Sequence, residues 1–251
     1  MQRAVRGNPW TRKLEQVGDL EDVDRRLLDR LIHEPKLFRA GEDIISVGEV
    51  PDLVNVVIEG WVCRYKVLGD GQRQIMALLV PGDICDLTVF VLKEMDHSIG
   101  ALTDAVVARI PRNEIMSILE TRPKLTLKLW WSSLQDEAVM REWIVGLGRR
   151  TAYERTAHLF YELHSRLRGV GLCDDEGGMA LPLRQTDLSD ILGLSYVHMN
   201  RVLQRMREEG LITLTRRELR FPSPARLKAV AGFEDRYLHL PKVKHKVSAD
   251  A

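Results

Sequence analysis

The segment Leu183–Ile212, LRQTDLSDILGLSYVHMNRVLQRMREEGLI, constrains this chain most, because its spacing predicts two short helices joined by a tight turn. In the second helix Met199, Val202, Leu203 and Met206 fall at i, i+3, i+4 and i+7, so one stripe is apolar and packs inward. The opposite face carries Tyr196, His198, Asn200, Arg201, Gln204 and Arg205. Ser195 stands at the N-cap, where its hydroxyl can accept from the free N–H groups of the first turn, and Gly193 supplies the backbone freedom for the bend. Leu188, Ile191 and Leu192 give the first helix, Gln185 to Leu192, a buried face of its own. Helix pairs with such an outer face place the second helix in the major groove, so double-stranded DNA is the expected partner.

The flanks sharpen this expectation. After Gly210, LITLTRRELRFPSP alternates apolar and polar residues on both sides of Arg216-Arg217, predicting a β-hairpin wing with a basic tip. Across residues 181–230 nine Lys and Arg face five Asp and Glu, whereas the whole chain of 251 residues holds 37 against 36. Positive charge is therefore concentrated where a phosphate backbone would lie. No segment approaches the roughly 20 apolar residues of a membrane span, and MQRAVRGNPWTRKLEQ has no apolar run after its charges. A cytoplasmic protein with no membrane partner is expected. Cys63, Cys85 and Cys173 are few and scattered, which fits neither a disulfide framework nor a metal knuckle.

Upstream, residues 20–34 repeat Leu20, Val23, Leu27, Leu28, Leu31 and Ile32 at helical spacing, and Pro35 closes that helix. From Phe38 to Ile110 short apolar or alternating runs are punctuated by glycines, predicting strands near 44–46, 54–58, 61–67, 73–80 and 105–110, with LGDGQ as a hairpin turn. Asn113–Glu120 reads as a short helix and Pro123–Leu147 as a long one. Gly146 and Gly148 mark a hinge before a further helix, Thr151–Leu167. In the long helix Leu125, Leu129, Ser132, Asp136, Val139 or Met140, Trp143 and Leu147 follow the seam spacing of a coiled coil, predicting a homodimer held along that seam. Trp130 and Trp131 adjoin, so one of them must face outward. The expected fold is α+β: a double-stranded, jelly-roll-like β-roll over 20–121, a dimerisation helix over 122–148, a winged helix-turn-helix over 149–232 and a tail over 233–251.

The glycines of RAGEDIISVGE, VVIEGWV and PGDICDL, the long connecting helix and the C-terminal winged helix-turn-helix together resemble the Crp/Fnr family of bacterial transcription regulators, from about Leu20 to Val230. That resemblance implies a homodimer on a palindromic site, with RNA polymerase as a further partner. It places Gln185, Thr186 and Ser195 against the DNA backbone and Tyr196, Val197, Asn200 and Arg201 at base edges, where an arginine suits the two acceptors of guanine. His198, Gln204 and Arg216 complete the candidate DNA-binding set. Family members commonly carry glutamate where this chain has Val197, so their half-site does not transfer.

The sensor half departs from the cyclic-nucleotide-binding pattern, in which a Gly-Glu-Leu motif takes the ribose and a downstream Arg-Ser or Arg-Thr pair takes the phosphate. Here Gly82-Asp83 leads into Ile84-Cys85-Asp86-Leu87, and the later segment reads Asp96-His97-Ser98-Ile99. Asp86, Cys85, His97, Ser98 and Arg141 form the candidate effector set, and cyclic AMP is not expected to act on it. Cys63, Cys85, His33 and His97 are the formally available haem ligands, but a lone histidine or cysteine in a β-roll is ordinarily structural, so no haem, metal or other cofactor is expected. A regulator without any small-molecule effector fits the same pattern. An enzyme does not: no phosphate loop, nucleophile elbow, His-Glu-x-x-His or paired catalytic carboxylates occurs in the sequence.

Overall fold

Where the sequence alternates, the chain pairs. The computed structural model describes residues 7–87, 91, 93–173, 177–215 and 217–240, and opens with a roll of seven strands. These are β1 (Lys36–Phe38), β2 (Asp43–Ile45), β3 (Leu53–Glu59), β4 (Val62–Val67), β5 (Arg73–Leu79), β6 (Ser98–Ala101) and β7 (Ala105–Pro111). They form two antiparallel sheets, ordered β1-β7-β3 and β2-β6-β4-β5. The five expected strands are present, and LGDGQ closes β4 on β5 through the Gln72 carbonyl, which accepts from Leu68 N–H at 2.8 Å. Strands β1 and β6 were not expected. The four residues of β6 are all buried, so they carry no polar alternation to betray them.

Two helices lead into the roll. The first, α1 (Pro9–Glu15), escapes sequence reading because it spans only two turns; Asn8 caps it by accepting from Thr11 N–H at 2.9 Å. Its Trp10 and Leu14 are wholly buried in the roll's core. Gly82 makes that approach possible: it lies at φ +97°, and a β-carbon there would stand 2.6 Å from the Pro9 carbonyl oxygen. The second, α2 (Asp22–Leu31), is shorter than the expected 20–34.

After α3 (Arg112–Thr121), the long helix α4 runs from Pro123 to Arg149. Gly146 and Gly148 do not break it. The bend comes at Arg150, whose backbone is extended, and Thr151 then caps α5 (Ala152–Gly169) in a reciprocal box with Glu154. A second correction concerns the faces of α4. Leu125, Leu129, Ser132 and Val139 of the expected seam are buried within the protomer, and the Trp143 indole N–H points at the Glu162 carboxylate, 3.2 Å away, while Met140 and Leu147 of that seam stay exposed. The stripe that faces out is another: Leu127, Trp130, Leu134 and Ile144 are 56–63 % exposed. Of the adjoining tryptophans, Trp130 is the outward one.

The C-terminal head comprises β8 (Gly178–Ala180), α6 (Gln185–Leu192), α7 (Tyr196–Glu208), β9 (Thr213–Thr215), β10 (Glu218–Arg220), α8 (Pro224–Ala231) and a 3-10 turn, Asp235–Leu238. The wing is a three-stranded sheet, β8-β10-β9, larger than the expected hairpin. Residues 233–238 do not trail away. Phe233 and Leu238 are buried, and the Gln135 side-chain amide of α4 donates to the Leu238 carbonyl.

Two apolar clusters hold the chain. One fills the roll and includes Val62 and Leu79. The other joins the outer residues of β4 and β5, Cys63, Ile75 and Leu78, to Phe160, Leu188, Ile191 and Met206 of the head.

Candidate nucleic-acid interface and sensor cavity

Helix α7 is set by its two sides. Met199, Val202, Leu203 and Met206 are at most 6 % exposed, so the register of the opposite face is fixed by burial. Tyr196, Val197, His198, Asn200, Arg201 and Gln204 all lie on the exposed side. The turn beneath them works as the residue types require. Gly193 adopts the left-handed conformation at φ 60° and returns its N–H to the Ser189 carbonyl, while the Ser195 hydroxyl accepts from His198 N–H at 3.2 Å. Gln185 is half-buried and donates to the Tyr196 carbonyl at 3.1 Å, which ties the N-termini of both helices together; Thr186 is exposed beside it.

The exposed polar groups differ in how far they are already engaged. Gln204 donates to Glu208 at 3.0 Å, and Arg205 pairs with Glu209 at 2.7 Å while its guanidinium covers the Tyr153 ring at 4.4 Å. Among the described residues, the side chains of His198, Asn200 and Arg201 have no protein partner. The head's acidic residues are largely neutralised elsewhere: Asp187 and Asp190 pair with Arg73 of β5, and Glu218 with Arg220. Arg216 lies outside the described residues, and its neighbour Arg217 forms the tight turn at φ 70°.

Between the roll and α4 lies a cavity of about 310 Å³. Of the candidate effector residues it gathers Asp86 and His97 only. Cys85 is buried beside it, Ser98 is buried accepting from Val47 N–H at 3.0 Å, and Arg141 is exposed, 3.4 Å from Glu137. The lining adds groups that sequence reading missed, among them the cations Lys13 and Arg64 and the carboxylates Asp83, Asp96, Asp136 and Glu137. Both cations are committed. Arg64, 15 % exposed, pairs with Asp136 of α4 and donates to the Cys85 carbonyl at 2.7 Å. Lys13 of α1 pairs with Asp83, which also accepts from Arg166 of α5 at 2.7 Å. Burial alone would raise the Asp83 pKa, but the two adjacent cations and their hydrogen bonds hold it below the ordinary aspartate range. His97 Nδ1 contacts Asp96 at 2.7 Å, and its Nε2 stands 3.9 Å from Asp86.

The two cysteines of the roll are not poised for reaction. Burial pushes the Cys63 thiol up to about 12 and the Cys85 thiol higher still, so neither offers a thiolate near neutrality. Among the described residues, no three His, Cys, Asp or Glu side chains come together as a metal site, and no helix is long and apolar enough to cross a membrane.

Residues 154–230 match the Crp-like helix-turn-helix domain, and residues 35–122 match the cyclic nucleotide-binding domain. The chain belongs to the Crp/Fnr family. It is 28 % identical over 206 residues to the nitrogen fixation regulation protein FixK of Bradyrhizobium diazoefficiens, covering 82 % of this chain and 83 % of that one. It is 28 % identical over 230 residues to the transcriptional activatory protein AadR of Rhodopseudomonas palustris, covering 91 % of each. The solved structure of FixK2 from Bradyrhizobium japonicum superposes with a TM-score of 0.70 at 26 % identity, over 80 % of this chain and 98 % of that one. This Crp/Fnr chain is thus a transcription regulator with a DNA-binding helix-turn-helix, in a family of regulators rather than enzymes.

Proposed function

We propose that this Crp/Fnr regulator acts as a homodimer that reads a palindromic DNA site with α7, and that its sensor cavity does not take cyclic AMP. The observation that carries the first part is the exposed, unengaged row His198, Asn200 and Arg201 above an apolar stripe that fixes its direction. Arg201 reads guanine, Gln185, Thr186 and Ser195 hold the phosphate backbone, and Tyr196, Val197 and Gln204 flank the reading row. The basic wing, with Arg216, adds contacts without sequence preference. The site calls for a twofold partner, and α4 supplies the surface. Leu127, Trp130, Leu134, Glu137, Arg141, Ile144 and Gly148 follow alternating threes and fours along its outward side. At the centre of that stripe Glu137 and Arg141 can exchange their ion pair across the twofold axis.

The cavity argues against a cyclic nucleotide. A buried phosphate needs a cation to replace its lost hydration, and Arg64 and Lys13 already neutralise Asp136 and Asp83. The further carboxylates in the wall, Asp86, Asp96 and Glu137, repel an anion, and Arg141 is turned to solvent. The residues present do not fit the group. Action in the cytoplasm with RNA polymerase as partner follows from the family reading. Selection of bound sites from a random DNA pool tests the function: enrichment of a palindrome is expected, and its absence would overturn the proposal.

A further inference from the structure

The sheet that walls the sensor cavity also touches the DNA-reading head, and it does so through a charged clamp. Arg73, the first residue of β5, donates from Nη2 to Asp187 at 2.7 Å and from Nε to Asp190 at 2.8 Å, both on α6. Its guanidinium carbon stands 5.9 Å from the Tyr65 ring on the neighbouring strand. The clamp is sheltered: the Asp187 side chain is 1 % exposed and also accepts from the Arg184 N–H at 2.9 Å. Burial would raise the Asp187 pKa, yet hydrogen bonds from Arg184 and Arg73 hold it below the ordinary range, so it is an anion at neutral pH. Beside the clamp, Cys63, Ile75 and Leu78 of the sheet share one buried cluster with Leu188, Ile191 and Leu192 of α6. Strand β5 is accordingly apolar on both faces, Leu79 toward the roll and Leu78 toward the head.

Helix α6 carries Gln185 and Thr186 at its N-terminus and holds the start of α7 through the Gln185 bond, so whatever fixes α6 fixes the reading helix. We propose that Arg73 is a positioning residue for DNA recognition: by clamping α6 to the sensor sheet of its own protomer it sets the orientation of each head and hence the half-site spacing that the dimer accepts. The proposal rests on the reading of the protein as a dimer on a palindrome. Two heads held rigidly at the right separation bind the second half-site at high effective concentration, and a one-base-pair insertion, which turns a half-site by about 35°, removes that advantage. Freed heads lose affinity at the preferred spacing and tolerate its neighbours.

The test measures binding of the full chain to the selected palindrome, to the same palindrome with one base pair added or removed at its centre, and to a single half-site. For Arg73→Gln, affinity at the preferred spacing is expected to fall about tenfold and the insertion penalty to shrink by a similar factor, with half-site affinity unchanged. Arg73→Lys keeps a cation between Asp187 and Asp190 but not the two-pronged bond, and is expected to keep part of the spacing preference. An Arg73→Gln protein with the native spacing preference would overturn the proposal. So would a loss spread equally over palindrome and half-site, which would make Arg73 only a support of the head's fold. Failure of the native protein to bind any palindrome would instead overturn the underlying reading, and the clamp's role with it.

Discussion

Leu134→Glu separates the two candidate seams of the long helix. Leu134 is 56 % exposed in the protomer, and full burial of a leucine contributes about 1.5–3 kcal/mol, so covering the exposed part by a partner helix contributes about 1–1.5 kcal/mol per copy. A twofold dimer loses that term twice, about 2–3 kcal/mol, and brings two carboxylates into one apolar contact, adding about 2 kcal/mol or more. The sum, about 4–5 kcal/mol, raises the dimer dissociation constant by about a thousandfold. Sedimentation velocity at micromolar concentration is expected to show a dimer for the native chain and a monomer for Leu134→Glu, with unchanged helix content because Leu134 is exposed in the protomer. Trp143→Phe provides the contrast: it removes a bond to Glu162 inside the protomer, so it lowers thermal stability and leaves the dimer in place. A dimeric Leu134→Glu protein, or a monomeric Trp143→Phe protein that is still folded, would refute the assignment of the outward stripe as the interface.

Three further outcomes are expected. Arg201→Ala costs about 1–3 kcal/mol on the selected site and relaxes preference at one base pair, whereas Arg216→Ala weakens all sequences alike; competition binding over a set of single-base variants tells these apart. Calorimetry with cyclic AMP and cyclic GMP shows no saturable heat at micromolar ligand, and micromolar binding coupled to tighter DNA binding would reverse the reading of the cavity. His158 makes folding acid-sensitive. Its side chain is 5 % exposed and stacked at 5.8 Å on Tyr237, and burial, with the nearby Arg150 charge, lowers its pKa to about 3. The unfolded chain takes up this proton near pH 6.5, so the contribution is constant above that value and is lost as pH falls toward 3. At pH 5 the cost is about 2 kcal/mol. Urea unfolding of His158→Gln compared with the native chain at pH 7.5 and pH 5 should show the native protein losing about that much more, and equal losses would refute the assignment.

The helix-turn-helix was legible because each of its signals is local. Burial stripe, cap and turn glycine lie within Leu183–Ile212, and each constrains the same few backbone angles. The long helix was harder for a physical reason. It carries two apolar stripes, Leu125-Leu129-Ser132-Val139 and Leu127-Trp130-Leu134-Ile144, and periodicity alone cannot say which one the chain covers itself. Ser132 is the available clue, since a small polar residue is a weak occupant of a coiled-coil seam. By propensity Gly146 and Gly148 signal a hinge, yet a glycine costs only about 1 kcal/mol in a helix, and α4 runs through both.

The buried ion pairs of the sensor half were illegible because their partners are distant in sequence. Lys13 meets Asp83 across 70 residues, Arg64 meets Asp136 across 72 and Arg73 meets Asp187 across 114. A motif search for a phosphate-binding arginine finds none at the expected place and passes over Arg64, whose guanidinium reaches the same cavity from another strand. One signal of the wider arrangement was nevertheless present. The run Met76-Ala77-Leu78-Leu79-Val80 is continuously apolar, whereas a strand with one solvated face alternates, so something besides the roll had to cover its outer side. The head covers it. With Leu79 in the core of the roll and Leu78 packed against the head, β5 borders the cavity, the roll and the docked helix at once, so its residues answer to all three environments.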